Sequence, residues 1–197
     1  VMRVSAVEKW LRRMALSGLN MLMLYTEDTY ELPDEPMFGY MRGAYTLEEI
    51  RAIDHYAAAL GIEVIPCIQT LGHLEQILKW RGAYWPVRDT SSVLLVDEPQ
   101  TYELIGKMVR FWREAVRSRR IHIGMDETHD VGRGRYMDLH GYVRGFDIFN
   151  QHLSKVVAIC QQEGMEPMIW SDMYFRMGSE RGDYYDMESE IPDDVAA

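Results

Sequence analysis

Positive charge is scarce: 21 Lys and Arg stand against 31 Asp and Glu, giving a net charge of -10 over 197 residues. No Lys/Arg cluster stands apart from that background, so a phosphate backbone would be repelled and no nucleic-acid partner is expected. Nor does any apolar stretch approach the roughly 20 residues that span a bilayer, and no charged-then-apolar leader opens the chain, so no membrane partner is expected either. Only two cysteines occur, Cys67 and Cys160, and both fall in apolar segments. They suit reduced thiols better than a disulfide framework, which points to the cytoplasm. Neither a glycine-rich phosphate fingerprint nor a Walker loop follows any strand, which weakens a nucleotide-binding doubly wound sheet.

What is present is apolar residue in quantity, 47% of the chain, enough for the core of one domain over residues 1 to 197. Three times a helical pattern runs into a glycine and then an apolar strand: MALSGLNMLMLY, AAALGIEVIPCI and CQQEGMEPMIW. Glycine just past a helix end takes the left-handed conformation that stops the helix. SRRIHIGM makes the same transition without the glycine. Ser5 with Glu8 and Thr46 with Glu49 each predict a capping box, and Asp97 before Pro99 predicts another helix start. The expected order is helix 5 to 16, strand 19 to 25, helix 46 to 60, strand 62 to 68, helix 99 to 117, strand 120 to 125, helix 146 to 163 and strand 166 to 170. Between residues 71 and 98, Leu74 to Trp80 reads as a short helix and RGAYWPVRDTSS as an irregular loop.

Alternating strands and helices imply an α/β fold with a parallel sheet and right-handed crossovers. The strands are apolar on nearly every residue, as when both faces are covered. Each delivers ionisable or aromatic residues at its carboxyl end: TEDTYE, QTLGH, DETHD and SDMYFR. That is where (β/α)8 barrel enzymes assemble their sites, and four strands are about half of such a barrel. The chain opens inside a helix signal and ends at PDDVAA without a closing element, so an incomplete barrel, a piece of something longer, is expected.

The strongest chemical signal is IHIGMDETHD, residues 121 to 130, where an apolar run ends in the adjacent carboxylates Asp126 and Glu127. Two acids held together cannot both ionise freely, so a proton donor near neutrality is expected, which suits glycosidic cleavage. An ordinary retaining pair sits about 5 Å apart across the sugar, normally on different strands. Neighbouring residues cannot easily flank a bond that way. They fit a substrate that brings its own nucleophile, with Glu127 protonating the leaving oxygen and Asp126 positioning the attacking group.

The run HIGMDETH resembles the H-x-G-x-D-E signature of the family-20 glycoside hydrolases, the β-N-acetylhexosaminidases. LNMLMLYTEDTYE is similar to that family's second barrel strand, IPCIQTLGH to its third strand with a P-G-H turn, and MIWSD to its fifth with a tryptophan. LGH stands where many members have PGH. The first-strand arginine and the residues of strands six to eight have no counterpart here, so the resemblance covers strands two to five. It implies an exo-acting enzyme that removes terminal β-linked GlcNAc or GalNAc with retention, through an oxazolinium intermediate. Glu127 is then the acid/base, and Asp126 orients the 2-acetamido group. His73 links the acid/base to an acid after strand two, a role that Glu27 and Asp28 both fit, with Gly72 turning the backbone so that His73 points inward. Trp170 walls the acetamido pocket. Asp172 binds a sugar hydroxyl or caps a helix.

The implied partner is an N-acetylhexosamine-containing glycan or glycoconjugate, with self-association or the remainder of the chain completing the barrel. Nothing in this reading calls for a metal or cofactor. His122, alternating with Gly124 and Asp126, reads as structural, and His129 is unassigned. Tyr84 and Trp85 are aglycone contacts or loop anchors. Two competing readings stand. One is a metal-dependent hydrolase built on His73, His122, Asp126, Glu127 and His129, against which no H-x-H pair occurs on a strand. The other is a sugar-binding or inactive barrel fragment without turnover.

Overall fold

The computed structural model describes residues 1–190 and 192–194. Among them run α1 Val4–Leu16, β1 Met21–Tyr25, α2 Leu47–Ala59, β2 Glu63–Cys67, α3 Glu75–Leu78 and α4 Arg81–Tyr84. Then come α5 Pro99–Ala115, β3 Arg120–His122, α6 Arg135–His140, α7 Gly145–Gln162, β4 Glu166–Met168 and α8 Asp172–Gly178. The four strands form one sheet in the order β1-β2-β3-β4, every pair parallel. Met21 to Tyr25 run beside Glu63 to Cys67, and Arg120 to His122 beside Glu166 to Met168. α1 packs on α2, α2 on α5 and α5 on α7, so the long helices make a row along the sheet. Strand order equal to chain order, with a helix between neighbours, is the repeat of a (β/α)8 barrel, of which four units are present.

Local chemistry explains most element ends. Gly18, Gly61 and Gly164 all take a positive φ, at 75°, 71° and 68°, where helices α1, α2 and α7 stop. Thr46 Oγ1 accepts from Glu49 N at 3.1 Å while Glu49 Oε2 accepts from Thr46 N at 3.0 Å, the reciprocal box expected before α2. The other two predicted starts differ. α1 begins at Val4 and no side chain caps it, so Ser5 lies inside the helix. At α5 the cap is Glu98, whose carboxylate accepts from Gln100 N at 3.3 Å. Asp97 is turned aside by its left-handed backbone (φ 70°) and pairs with Lys155.

The strands are shorter than the apolar runs. β3 ends at His122 because Gly124 and Met125 both adopt φ 72°, which swings the chain out of the ladder before Asp126. Residues 71 to 98 are no loose excursion. Leu71, Leu74, Ile77, Leu78, Val93, Leu94 and Leu95 are all buried, and part of the expected loop is helix α4. Helix α6 answers to no sequence expectation, and α8 begins at Asp172, a candidate cap: Ser171 stands at the N-cap, no side chain caps the helix, and Asp172 lies in its first turn.

Candidate active site

The carboxyl ends of the four strands converge. Four of their residues hold left-handed backbone despite carrying side chains: Glu27 (φ 48°), His73 (φ 55°), Met125 (φ 72°) and Glu127 (φ 50°). Each such conformation costs on the order of 1 kcal/mol or more, so the surrounding packing must hold it.

The two adjacent acids are held very differently. Asp126 Oδ1 accepts from Gln69 Nε2 at 2.8 Å, and Oδ2 lies 3.2 Å from His73 Nε2. The Asp126 side chain is 22% exposed and that of Glu127 60% exposed. Glu127 Oε2 lies 3.5 Å from the same His73 nitrogen. One carboxylate is thus tethered on both oxygens and its neighbour stands free to reach a ligand. The Glu127 backbone N–H donates to Asp172 Oδ2 at 3.0 Å. Burial drives the Asp172 carboxyl above its usual range and the nearby Asp126 charge pushes the same way. Its other oxygen is buried, with no side-chain partner among the described residues.

Trp170 is 43% exposed, and its ring lies 4.3 Å from the His122 imidazole. His122 Nδ1 accepts from Gly124 N at 3.1 Å, and burial lowers its pKa, so it is a neutral support beneath the tryptophan, in line with a structural part. Asp126, Glu127, Trp170, Asp172, Phe175 and Tyr184 are among the walls of an open cavity of about 890 Å³, room for a sugar ring and more. Gly72 takes no left-handed φ. It serves close approach, since a Cβ there would stand 2.5 Å from Thr128 Cγ2 and 3.1 Å from the Asp126 carbonyl oxygen.

One expected link is not made. Among the described residues the ion pairs of His73 run to Asp126 and Glu127, not to Glu27 or Asp28. Arg42 takes both of those acids, Nη1 lying 2.9 Å from Glu27 Oε2 and also against Asp28 Oδ1. Burial pushes the Asp28 carboxyl upward against the pull of Arg42. The acidic pair is nonetheless tied to the site. Tyr25 O–H donates to Glu27 Oε1 at 3.2 Å, and Gln69 Nε2 donates to Tyr25 and to Asp126. Gln69, Tyr25 and Arg42 escaped the sequence reading. A lone amide closing the apolar run VIPCI was the available signal for Gln69.

Tyr84 and Trp85 do not line the cavity, and Arg135 Nη1 fixes their loop by donating to the Trp85 and Pro86 carbonyls at 3.1 and 2.8 Å. His129 faces a separate, smaller hollow with Arg133 and Tyr142. Among the described residues no three His, Cys, Asp or Glu side chains converge to hold a metal ion.

Comparison with known proteins bears on the family and the fold. Human hexosaminidase D is 30% identical over 168 residues, which cover 79% of this chain and 34% of that protein. Beta-hexosaminidase 3 of Arabidopsis thaliana is 23% identical over 179 residues, 84% of this chain and 34% of the relative. The chain therefore spans about a third of the length of the curated relatives it matches. Among solved structures, Streptomyces plicatus N-acetyl-β-hexosaminidase superposes with a TM-score of 0.72 at 22% identity, over 88% of this chain and 37% of the other. The Vibrio harveyi exo-β-N-acetylglucosaminidase gives 0.74 at 20% identity, over 86% and 33%. These place the four βα units in a (β/α)8 fold. The model of the glycosyl hydrolase family 20 catalytic domain matches residues 2–187, and to that family the chain belongs.

Proposed function

We propose that these residues are the catalytic portion of a retaining, exo-acting β-N-acetylhexosaminidase that uses the substrate's own acetamido group as nucleophile. The observation that carries this is the unequal tethering of two neighbouring acids on one cavity wall, Asp126 fixed by Gln69 and His73 while Glu127 projects outward. Glu127 gives its proton to the glycosidic oxygen as the bond to the anomeric carbon breaks. Asp126 accepts the acetamido N–H and turns the carbonyl oxygen onto that carbon, so the new C–O bond closes an oxazolinium ring. Glu127, now ionised, takes a proton from water as the water attacks from the vacated face, which restores the amide and the original anomeric configuration. Trp170 shields the acetamido methyl, and His73 holds the two carboxyls in register.

The names of the matched relatives support the substrate class, a terminal β-linked N-acetylhexosamine on a glycan or glycoconjugate. The test is release of 4-nitrophenol from its N-acetyl-β-D-glucosaminide, with Glu127→Gln as control. A wild-type rate that survives the change removes Glu127 from this role.

A sugar-binding unit without turnover is the second reading, and β1 favours it. Among the described residues that strand pairs on one side only, and Met21 and Tyr25 on it and Leu16 and Leu19 beside it are exposed. An open edge of this kind invites completion by further chain or by a second copy. Binding of N-acetylglucosamine by calorimetry without nitrophenol release would favour this reading.

A further inference from the structure

Gln69 is fully buried, yet the reaction as written gives it no task beyond a tether. Its surroundings fix which way round the amide sits. The Met125 backbone N–H donates toward it at 3.3 Å, so the oxygen must face Met125. That leaves the two Nε2 hydrogens for Asp126 Oδ1 at 2.8 Å and the Tyr25 hydroxyl oxygen at 3.2 Å, and Tyr25 passes its own O–H to Glu27 Oε1. A flipped amide would set a carbonyl against a carboxylate and leave Met125 N–H facing a donor. Gly124 makes the room, since a Cβ there would overlap the amide oxygen.

We propose that Gln69 is a positioning residue for the acetamido-orienting carboxylate: an amide locked one way round that gives Asp126 a donor unable to exchange roles with it. A carboxyl at that place would share a proton with Asp126, and a shared proton would occupy the oxygen that must accept the substrate N–H. The neutral amide removes that competition, so Asp126 remains an acceptor throughout turnover. The proposal rests on the hexosaminidase reading of the site, and it extends through Tyr25 to the acids gripped by Arg42.

The discriminating variant is Gln69→Glu, which keeps the shape and introduces a carboxyl. The titratable groups facing Asp126 are His73, Glu127, His122, Asp172, Tyr25 and Cys67, none altered by the change. The acid limb of kcat/KM against pH should move up by about one pH unit or more, as for two carboxyls sharing a site. At neutral pH kcat should fall about a hundredfold with KM within about threefold, the pattern of an interaction needed in the transition state. Gln69→Met, which removes the donor without adding an acid, should lower kcat and move the acid limb less.

A second readout does not depend on turnover: in Gln69→Glu the carboxyl carbon resonance of Asp126 should titrate at higher pH than in the wild type. Variants that lose activity with an unmoved acid limb, or an Asp126 titration that superimposes on the wild type, would make Gln69 a packing residue and overturn the proposal. A wild-type chain that releases no nitrophenol would instead count against the hexosaminidase reading, and the carbon titration would still decide on Gln69.

Discussion

Residues a single peptide bond apart can do opposite jobs when their side chains leave in different directions. Asp126 is bound on both oxygens; Glu127 is held through its backbone N–H by Asp172, at a left-handed φ of 50°, and its carboxylate meets His73 on one oxygen at 3.5 Å. Removing that anchor in Asp172→Ala should loosen the aim of Glu127 and lower kcat by about ten- to a hundredfold, as small misplacements of a catalytic group do. Asp172→Asn keeps an acceptor oxygen and should lose less; comparing the two nitrophenol rates checks this. Legibility in the sequence followed the same division. Asp126, Glu127, His73, Trp170 and Asp172 lie within short motifs, and the structure brings them to one place. The partner of Glu27 and Asp28 was not legible, because Arg42 reaches them across a turn whose shape no local pattern encodes. Gln69 lies within a motif yet is not legible from it, since an amide declares its purpose only through what surrounds it.

Elements whose ends are set by neighbours in sequence were readable, and those set by distant side chains were not. The Thr46 and Glu49 box and the glycine stops are local and were found. Helix α6 starts where Asp89 Oδ1 accepts from Tyr136 N at 2.7 Å, a cap 47 residues away in the chain, while Asp89 Oδ2 takes Gly132 N at 3.0 Å. No pattern within α6 could announce it. Asp89→Ala leaves two buried donors without acceptors and should cost about 2 to 4 kcal/mol, read as a lower urea midpoint at unchanged m-value. β3 makes the same point in reverse, because its apolar run outlasts its ladder. Gly124→Ala would meet both a left-handed φ of 72° and the Ile68 carbonyl oxygen 2.7 Å from the new Cβ. It should destabilise the chain by roughly 2 kcal/mol or more, and disturb Gln69 in doing so.

Across the molecule, α7 is joined to the turn after β2 by a buried histidine. His152 Nε2 bonds the Thr70 carbonyl oxygen at 2.8 Å and Nδ1 faces the Tyr102 hydroxyl at 3.3 Å. Burial lowers its pKa from the ordinary 6.5 to about 4, so the folded chain refuses a proton that the unfolded chain accepts. The stability it supplies is therefore whole above pH 6.5 and is lost as pH falls from there toward 4. Urea midpoints at pH 7, 5.5 and 4.5 should decline through that window, and the part due to His152 should vanish in His152→Gln. The edge of β1, without a strand partner among the described residues, leads to another expectation: sedimentation should show self-association that rises with concentration and recedes when exposed Leu19 is replaced by Lys. The left-handed strand tips have a consequence of their own. His73 and Glu127 occupy backbone that glycine would adopt without strain, so replacing either with glycine removes a local penalty while deleting the chemistry. Laboratory selection for heat resistance alone, with no demand for turnover, would find its easiest gains at these positions and leave a sturdier, idle barrel.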